Sequence, residues 1–285
     1  MIPESLTIGI IQFKPEPGRV EENLTATAQL LSSAAQMGSD LVVLPEMWPT
    51  GYGDFDAHKV SHPIPGLYTD FLSESARRHG IHIVAGIPEQ GVGGKLHNTA
   101  VFLNDKGEII AKHRKLHLYS LLGEEKIWTA GDGFTVVDTN FGRVGLLVCY
   151  DGDFPESWRA NAVLGAQVII QVNAYESPCE NWWNKFYPSS ALQNVVWGIL
   201  CNAVGDTSVE NRDVHFFGRS RIIAPDGEIA GEAPYIAPGE DAESFLLVKT
   251  VHLRNQFEEA RRKFGNFLKD RRPKLYGVLG TNLSF

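Results

Sequence analysis

The sequence predicts an α/β fold in which parallel and antiparallel strands are mixed. Continuous apolar runs alternate with helical patterns, which is typical of crossover units around a buried parallel sheet. Other strand pairs are separated by short polar turns that contain glycine, which indicates antiparallel hairpins. Roughly a dozen strands exceed what one twisted sheet usually holds. Two packed sheets are therefore favoured, and the pattern alone also permits one large doubly wound sheet.

The first third of the chain is predicted to form a β-α-β-α-β unit. In order, its elements are a strand over 6–13, a helix over 23–37, a strand over 40–44, a helix over 68–79 and a strand over 81–87. Asn23 is expected to cap the first helix, and Gly38 and Gly80 are expected to end the two helices. The buried face of the first helix is predicted to carry Leu24, Ala28, Leu31 and Ala35.

Three hairpins are predicted in the rest of the chain, each at a turn that contains glycine. They pair strands 97–103 with 108–112, 134–138 with 143–148, and 218–224 with 228–230. Between the second and third hairpins, the pattern predicts a helix over 155–164, a strand over 167–172, a helix over 189–196 and a strand over 198–204. Trp158 and Ala162 are expected to face the core.

Length and the absence of an internal linker favour one domain over residues 1–285, with 43% hydrophobic residues available for its core. From Val251 the strand pattern gives way to a charged tail with an apolar stripe at Phe257, Ala260 and Phe264. Such a tail would fray in isolation. We therefore predict that segment 251–285 packs at a subunit interface of a homo-oligomer.

Composition excludes several classes of function. The 26 basic and 34 acidic residues give a net charge of −8, which argues against nucleic acid as a partner. No basic leader and no apolar run long enough to span a bilayer are visible, so neither export nor a membrane is expected. The three scattered cysteines suggest no disulfide framework and fit a reducing cytoplasm. Without HxH, HExxH or CxxC spacing, neither a metal nor another cofactor is expected.

Cys149 is the candidate nucleophile. The apolar run 145–148 stops at this cysteine, just before a turn at Gly152 and a helix start at Pro155. A thiol that faces a helix N-terminus is expected to be favoured as thiolate by the amide dipoles. By contrast, Cys201 stands within a strand and is expected to fill the core, whereas Cys179 stands in a polar loop and is expected at the surface.

Two further charged residues stand in similar positions. Glu46 follows the apolar strand that ends with Leu44 and Pro45. A thiol nucleophile needs a proton acceptor, and no histidine occupies a comparable strand end. The alternative is a carboxylate that only caps a loop. Lys115 stands in a basic run, 112–115, which the residues alone would equally allow as a solvated face.

Three blocks in this order resemble the nitrilase (carbon-nitrogen hydrolase) superfamily: LPEMWPTGY at 44–52, KHRKLHL at 112–118 and CYDGDFPE at 149–156. The resemblance extends through FFGRSRIIAPDGE at 216–228 to RRPKLYG at 271–277. It implies a four-layer αββα sandwich that assembles into dimers or larger oligomers. It also implies cofactor-free hydrolysis of non-peptide carbon-nitrogen bonds through a cysteine thioester.

The resemblance also implies roles for individual residues. Glu46 would be the general base, and Lys115 would stabilise the oxyanion together with the backbone N–H of Tyr150. Glu124, seven residues before Gly131, matches a second family glutamate that positions the substrate or the lysine; the alternative is an ordinary glutamate at a helix start. Substrate-binding candidates are Tyr52, Asp153, Asn173, Tyr175, Trp182 and Trp183, although the aromatic side chains could equally serve packing.

One position departs from the family pattern. Members that act on dicarboxylate monoamides commonly carry an arginine near the position where this chain has Asp153. An aspartate facing the pocket would repel a substrate carboxylate. The expected reaction is the cleavage of a small amide to a carboxylic acid and ammonia. The alternatives are an N-carbamoyl-amine amidohydrolase, a true nitrilase, and a catalytically silent binding or scaffold protein of the same fold.

Overall fold

The computed structural model describes residues 3–264 and 267–280, and within these ranges the chain forms fourteen strands and six α-helices. The strands are β1 (Leu6–Gln12), β2 (Leu41–Val43), β3 (His82–Gln90), β4 (Leu96–Leu103), β5 (Ile109–Arg114), β6 (Thr135–Thr139), β7 (Gly142–Val148), β8 (Val168–Asn173), β9 (Trp197–Asn202), β10 (Val204–Val209), β11 (Arg212–Phe217), β12 (Arg221–Ile223), β13 (Ile229–Glu232) and β14 (Phe245–Val251). The helices are α1 (Val20–Gln36), α2 (Ala57–Val60), α3 (Leu67–His79), α4 (Pro155–Val163), α5 (Glu180–Asn194) and α6 (Leu253–Phe264).

Two mixed six-stranded sheets form the centre of the described chain. Their strand orders are β14-β1-β2-β3-β4-β5 and β13-β12-β9-β8-β7-β6. In each sheet three strands run parallel, β1 to β3 in the first and β7 to β9 in the second, and antiparallel strands flank them. The strands β10 and β11 form a separate hairpin.

Alternation along the strands builds a four-layer sandwich. In β2, Val43 faces the second sheet, whereas Val42 faces the outer side of the first sheet, where it packs with Leu31 of α1 and Leu72 of α3. The second sheet is covered on its outer side by α4 and α5, whose Trp158 and Tyr187 are fully buried. The two-sheet αββα prediction is confirmed, and so are the three predicted hairpins.

The start of α1 differs from the prediction. The helix begins at Val20, and Asn23 lies inside it instead of capping it. The side chain of Asn23 accepts a hydrogen bond from the backbone N–H of Glu16 and donates to the carbonyls of Glu16 and Pro49. Because Asn23 faces inward, the buried face is rotated from the predicted one and consists of Asn23, Thr27, Leu31 and Ala34.

Two elements in the second half also differ. The helix predicted from residue 189 begins at Glu180 and continues through Pro188, because Trp183 and Tyr187 bury its first turns against the core. The strand predicted over 198–204 is two strands, β9 and β10. The hairpin of β10 and β11 was not predicted, since its turn residues Glu210 and Asn211 take positive φ values of 51° and 62° without glycine.

The C-terminal tail packs on its own chain over its first half. Leu253, Phe257 and Ala260 of α6 are buried, and the Trp197 indole donates to the carbonyl of Leu253 at 3.3 Å. The predicted interface remains a prediction, and its exposed apolar side chains lie further along the tail, at Leu275 and Leu279. No helix in the described ranges has the length and apolar character required to cross a membrane.

Candidate active site

Four strand ends meet at one edge of the sandwich. Glu46 follows β2, Lys115 follows β5, Cys149 follows β7 and Ala174 follows β8. The strands β2, β7 and β8 are parallel within their sheets, and two antiparallel steps give β5 the direction of β3. The carboxyl ends of such strands are where α/β folds place reacting groups. The sequence-predicted base, cation and nucleophile therefore come together.

The carboxylate of Glu46 is held by four donors. Its Oε1 accepts from Lys115 Nζ at 2.9 Å, from Asn98 Nδ2 at 2.7 Å and from the Tyr52 hydroxyl at 2.9 Å. Its Oε2 accepts from the backbone N–H of Ala174 at 2.8 Å. A Cβ on Gly86 would lie 2.6 Å from the Glu46 Cα, so this glycine lets the loop that carries Glu46 cross close to β3.

Lys115 lies between two carboxylates. Its Nζ is 2.9 Å from Glu46 Oε1 and 2.8 Å from Glu124 Oε1, and all three side chains are almost completely buried. Burial by itself lowers the pKa of Lys115, but the charges of Glu124 and Glu46 outweigh it and hold the pKa well above its usual value. Lys115 is therefore a fixed cation.

Glu124 and Tyr52 complete this buried cluster. Glu124 Oε2 accepts from the backbone N–H of Tyr119 at 2.8 Å. Its Oε1 lies 2.9 Å from the Tyr52 hydroxyl, whose single proton is donated either to this oxygen or to Glu46 Oε1. Burial raises the pKa of Glu124, and Glu46 adds to this effect while Lys115 opposes it. Burial and the nearby charges of Glu124 and Glu46 also raise the pKa of Tyr52 well above its usual value, so this hydroxyl remains a donor.

Cys149 occupies a sharp turn with a φ of 44°, a left-handed conformation that is uncommon for a residue with a side chain. Gln171 supports the turn, because its Nε2 donates to the Cys149 carbonyl at 3.0 Å. Burial raises the pKa of the thiol well above its usual value; Glu46 raises it further, and Lys115 lowers it only in part. The expectation that the helix N-terminus would favour a thiolate stays a prediction, and burial of the thiol acts against it.

Asp151 connects the turn of Cys149 to the loop of Lys115. Its Oδ1 accepts from the backbone N–H groups of Leu116 and His117, at 3.0 and 2.9 Å, and from His117 Nδ1 at 2.9 Å. Its Oδ2 accepts from the N–H of Val148 at 3.2 Å. Burial opposes ionisation of Asp151, but hydrogen bonds from two histidines outweigh it and hold the pKa well below its usual value.

A cavity opens beside Cys149. Its walls are formed by Tyr119, Cys149, Tyr150, Asp153, Ala174, Tyr175, Glu176, Cys179 and Trp182. Of the substrate-binding candidates, Asp153, Tyr175 and Trp182 therefore line this cavity. Cys179 is half-buried in the wall rather than on the open surface, which corrects the prediction for this residue. Cys201 is fully buried, as predicted.

The Asp153 carboxylate faces this cavity. It accepts hydrogen bonds from the hydroxyl of Tyr175 at 3.0 Å and from that of Tyr187 at 2.7 Å. Burial raises its pKa to about 6, although both tyrosines act to lower it. Asp153 therefore becomes negatively charged as the pH rises through about 6.

Three other candidates lie elsewhere. Tyr52 contacts the carboxylates of Glu46 and Glu124 and is not among the residues that line the cavity. Trp183 is fully buried in the core, where its ring packs on Tyr187 with 5.0 Å between centroids. The Asn173 side chain donates to the carbonyls of Gln171 and Cys201 at 2.8 and 3.1 Å and so ties neighbouring strands together. None of these three residues lines the cavity, and substrate binding by them stays a prediction.

Several residues of the site were not identified from the sequence. Asn98 lies in β4 and is buried. In the sequence it stands between His97 and Thr99, and this polar stretch does not distinguish it as a site residue. Asp151 is the third residue of the block 149–156, where the sequence assigns it no role. Tyr119 follows the end of β5, and only its position in the fold brings it to the cavity.

A family model described as carbon-nitrogen hydrolase matches residues 7–250. The chain is 32% identical over 275 residues to a nitrilase of Pyrococcus abyssi, covering 94% of this chain and 98% of the relative. It is 31% identical over 228 residues to the 2-oxoglutaramate amidase of Bacillus subtilis, with 79% and 85% covered. The crystal structure of an amidase from Nesterenkonia sp. superposes with a TM-score of 0.81 at 25% identity, with 98% of both chains covered.

The match extends from β1 to β14 and includes every strand end that contributes to the buried cluster. The chain therefore belongs to the carbon-nitrogen hydrolase family, within the nitrilase superfamily, and is an enzyme of the amidase and nitrilase type.

Proposed function

We propose that this enzyme hydrolyses a small amide to a carboxylic acid and ammonia, with Cys149 as nucleophile, Glu46 as general base and Lys115 as oxyanion stabiliser. The observation that carries the proposal is the buried Lys115, which bridges Glu46 and Glu124 at 2.9 and 2.8 Å beside the cavity that Cys149 lines. A fixed cation beside a base and a thiol suits acyl transfer better than a structural role.

In the first step, the Cys149 sulfur attacks the amide carbon while Glu46 takes the thiol proton. The raised pKa of Cys149 makes this base necessary. The negative charge that develops on the amide oxygen would be stabilised by the ammonium of Lys115 and the backbone N–H of Tyr150. Because Lys115 is already held in place, little reorganisation is needed when this charge appears.

In the second step, Glu46 returns its proton to the amide nitrogen, ammonia leaves, and a thioester remains on Cys149. Glu46 then takes a proton from a water molecule, which attacks the thioester and releases the carboxylic acid. The thiol is regenerated with the proton held by Glu46. Glu124 takes no proton in this scheme and positions Lys115.

Carbamoyl amines and nitriles would use the same residues, so they remain the second candidates. The amide is favoured because the structural neighbour from Nesterenkonia is an amidase. A silent scaffold is disfavoured, because buried charges without a chemical task are costly to keep.

Ammonia release over a panel of amides, carbamoyl amines and nitriles tests the proposal. Amides are expected to give the largest kcat/KM. Cys149→Ala and Cys149→Ser are expected to abolish turnover while the circular dichroism spectrum is retained, and an alkylating agent should modify Cys149 before Cys179 or Cys201. A chelator is expected to have no effect, because no step requires a metal. Near-normal turnover by the alanine variant would overturn the mechanism.

A further inference from the structure

Glu176 follows β8 and forms part of the cavity wall. The residue is 4% exposed. Its Oε1 accepts from Arg212 Nη2 at 2.9 Å and from the Tyr119 hydroxyl at 3.2 Å. Its Oε2 is buried and has no hydrogen-bond partner among the described residues. A buried carboxylate oxygen without a donor costs about 1–3 kcal/mol, so it indicates a place where a ligand supplies the donor.

The charges around the cavity restrict the nature of that donor. Among the described residues that line the cavity, two are acidic, Asp153 and Glu176, and none is lysine or arginine. Lys115 already pairs with two carboxylates, and Arg212 contacts the other oxygen of Glu176. The cavity therefore has a negative potential that no lining cation offsets.

We propose that Glu176 determines specificity by binding a primary ammonium group at the far end of the amide substrate. The free Oε2 would accept one of its N–H groups. This assignment rests on the proposed amide hydrolysis, and it narrows the substrate class to amides of small amino acids or diamine-derived amides with a terminal amine.

The aromatic walls support the same ligand. The rings of Tyr119 and Tyr150 lie 5.0 Å apart between centroids and are tilted by 56°, and Trp182 is 45% exposed in the wall. A cation over such rings gains about 0.5–2 kcal/mol. Burial raises the pKa of Glu176 and Arg212 lowers it, so a bound ammonium group would further favour the charged carboxylate. A substrate with a second carboxylate would instead meet two acidic groups.

Three amides of equal chain length test the proposal: one with a terminal ammonium, one with a terminal methyl group and one that is the monoamide of a dicarboxylic acid. We expect kcat/KM to be at least about tenfold higher for the ammonium amide than for the methyl amide, which corresponds to about 1.4 kcal/mol. The dicarboxylic monoamide is expected to be the poorest substrate. Equal kcat/KM for the three would overturn the proposal.

Two variants separate recognition from a structural role. Both Glu176→Gln and Arg212→Gln break the same ion pair. Glu176→Gln is expected to reduce the preference for the ammonium amide by about tenfold, because a carboxylate acceptor becomes a neutral amide. Arg212→Gln leaves the Glu176 charge less compensated and is expected to increase that preference. If the two variants changed the preference in the same direction, Glu176 would be a structural residue only.

Calorimetry on Cys149→Ala distinguishes a failure of this inference from a failure of the proposed function. The variant is expected to bind the ammonium amide at least about tenfold more tightly than the methyl amide. If the wild-type protein hydrolysed none of the three amides but this binding preference held, the proposed amide hydrolysis would be refuted. The proposed recognition of the ammonium group by Glu176 would then be supported. If hydrolysis occurred without a binding preference, the recognition would be wrong.

Discussion

For single residues, the proposed mechanism assigns the proton transfers to Glu46 and the stabilisation of the oxyanion to Lys115. Glu46→Gln should lose most activity, because a thiol with a raised pKa has no base to deprotonate it. Lys115→Ala should lower kcat about 100-fold or more, as the loss of an oxyanion donor does elsewhere. Steady-state ammonia release measures both effects.

Lys126→Ala is the matched control for the lysine. Lys126 is exposed and pairs with Glu210 at the surface, so its removal should leave kcat within about twofold. A Lys115→Ala variant as active as Lys126→Ala would contradict the assigned role of Lys115.

Asp153 is expected to make the substrate preference dependent on pH. Because its pKa is raised to about 6, Asp153 is neutral below this pH and negative above it. Tyr175, Tyr187 and Lys115 act to hold the charge, and Asp151 opposes it. The ratio of kcat/KM for an ammonium amide over a methyl amide should therefore increase as the pH rises through about 6. A titration of both substrates measures this ratio, and an unchanged titration in Asp153→Asn would assign the step to another group.

A substitution of Asp153 by arginine reverses the sign of the charge at this position of the cavity wall. Asp153→Arg should narrow or invert the preference against dicarboxylic monoamides, because a repulsion is replaced by an attraction. Relative kcat/KM for the two substrate types is the measurement. An unchanged ranking would show that the charge at this position does not select the substrate.

At the scale of elements, the hydrogen bonds of Asp151 hold the turn after β7 against the loop after β5. Asp151→Asn should lower the free energy of unfolding by about 2–4 kcal/mol, since several hydrogen bonds to one buried charge are weakened together. It should also lower kcat about tenfold or more, because Lys115 moves relative to Cys149. Urea unfolding and single-turnover kinetics measure the two effects. Asp105→Asn, an exposed position, should change neither.

The pH dependence of stability gives a further check on Asp151. Its pKa is depressed in the folded state, so it stabilises the fold above its unfolded pKa of about 4 and loses this contribution as the pH falls below that value. The difference in unfolding free energy between the wild type and Asp151→Asn should therefore shrink as the pH is lowered from about 4. A constant difference down to pH of about 2 would contradict the assigned linkage.

At the scale of the whole molecule, the tail after α6 carries the expected contact between subunits. Truncation before Val251 would remove Leu253 from the core and the pairing of Val251 with Leu6, so it would not test the contact between subunits alone. A double change of Leu275→Asp and Leu279→Asp is sharper, because these side chains are 57% and 66% exposed.

We expect the wild type to be a homo-oligomer and this double variant to have a smaller mass by light scattering. The reason is that charges placed in a buried apolar contact oppose association. Val92→Asp is the control. Val92 lies between β3 and β4 and is 94% exposed, so this variant should keep the wild-type mass. A monomeric wild type at micromolar concentration would refute the assembly.

The residue pattern was enough to predict an α/β fold with mixed strands and the strand ends that carry Cys149 and Glu46, whereas the four-layer sandwich was implied by the family resemblance. The ends of strands can be predicted from the sequence, because an apolar run that stops at a polar residue marks both the end of a strand and the edge of a sheet. Cys149 and Glu46 were found in this way. Lys115 was selected from its basic run only by resemblance, since local pattern does not distinguish a buried lysine from a solvated one.

The surroundings of these residues depend on the tertiary packing. Asn98 lies on β4 of the first sheet and Glu176 follows β8 of the second, so their positions at the site depend on how the two sheets pack, which no local pattern encodes. Trp183 and Trp182 are adjacent in sequence, yet helical geometry sends one into the core and the other to the cavity. The raised pKa of Cys149 likewise results chiefly from burial of the thiol, which depends on the packing around it.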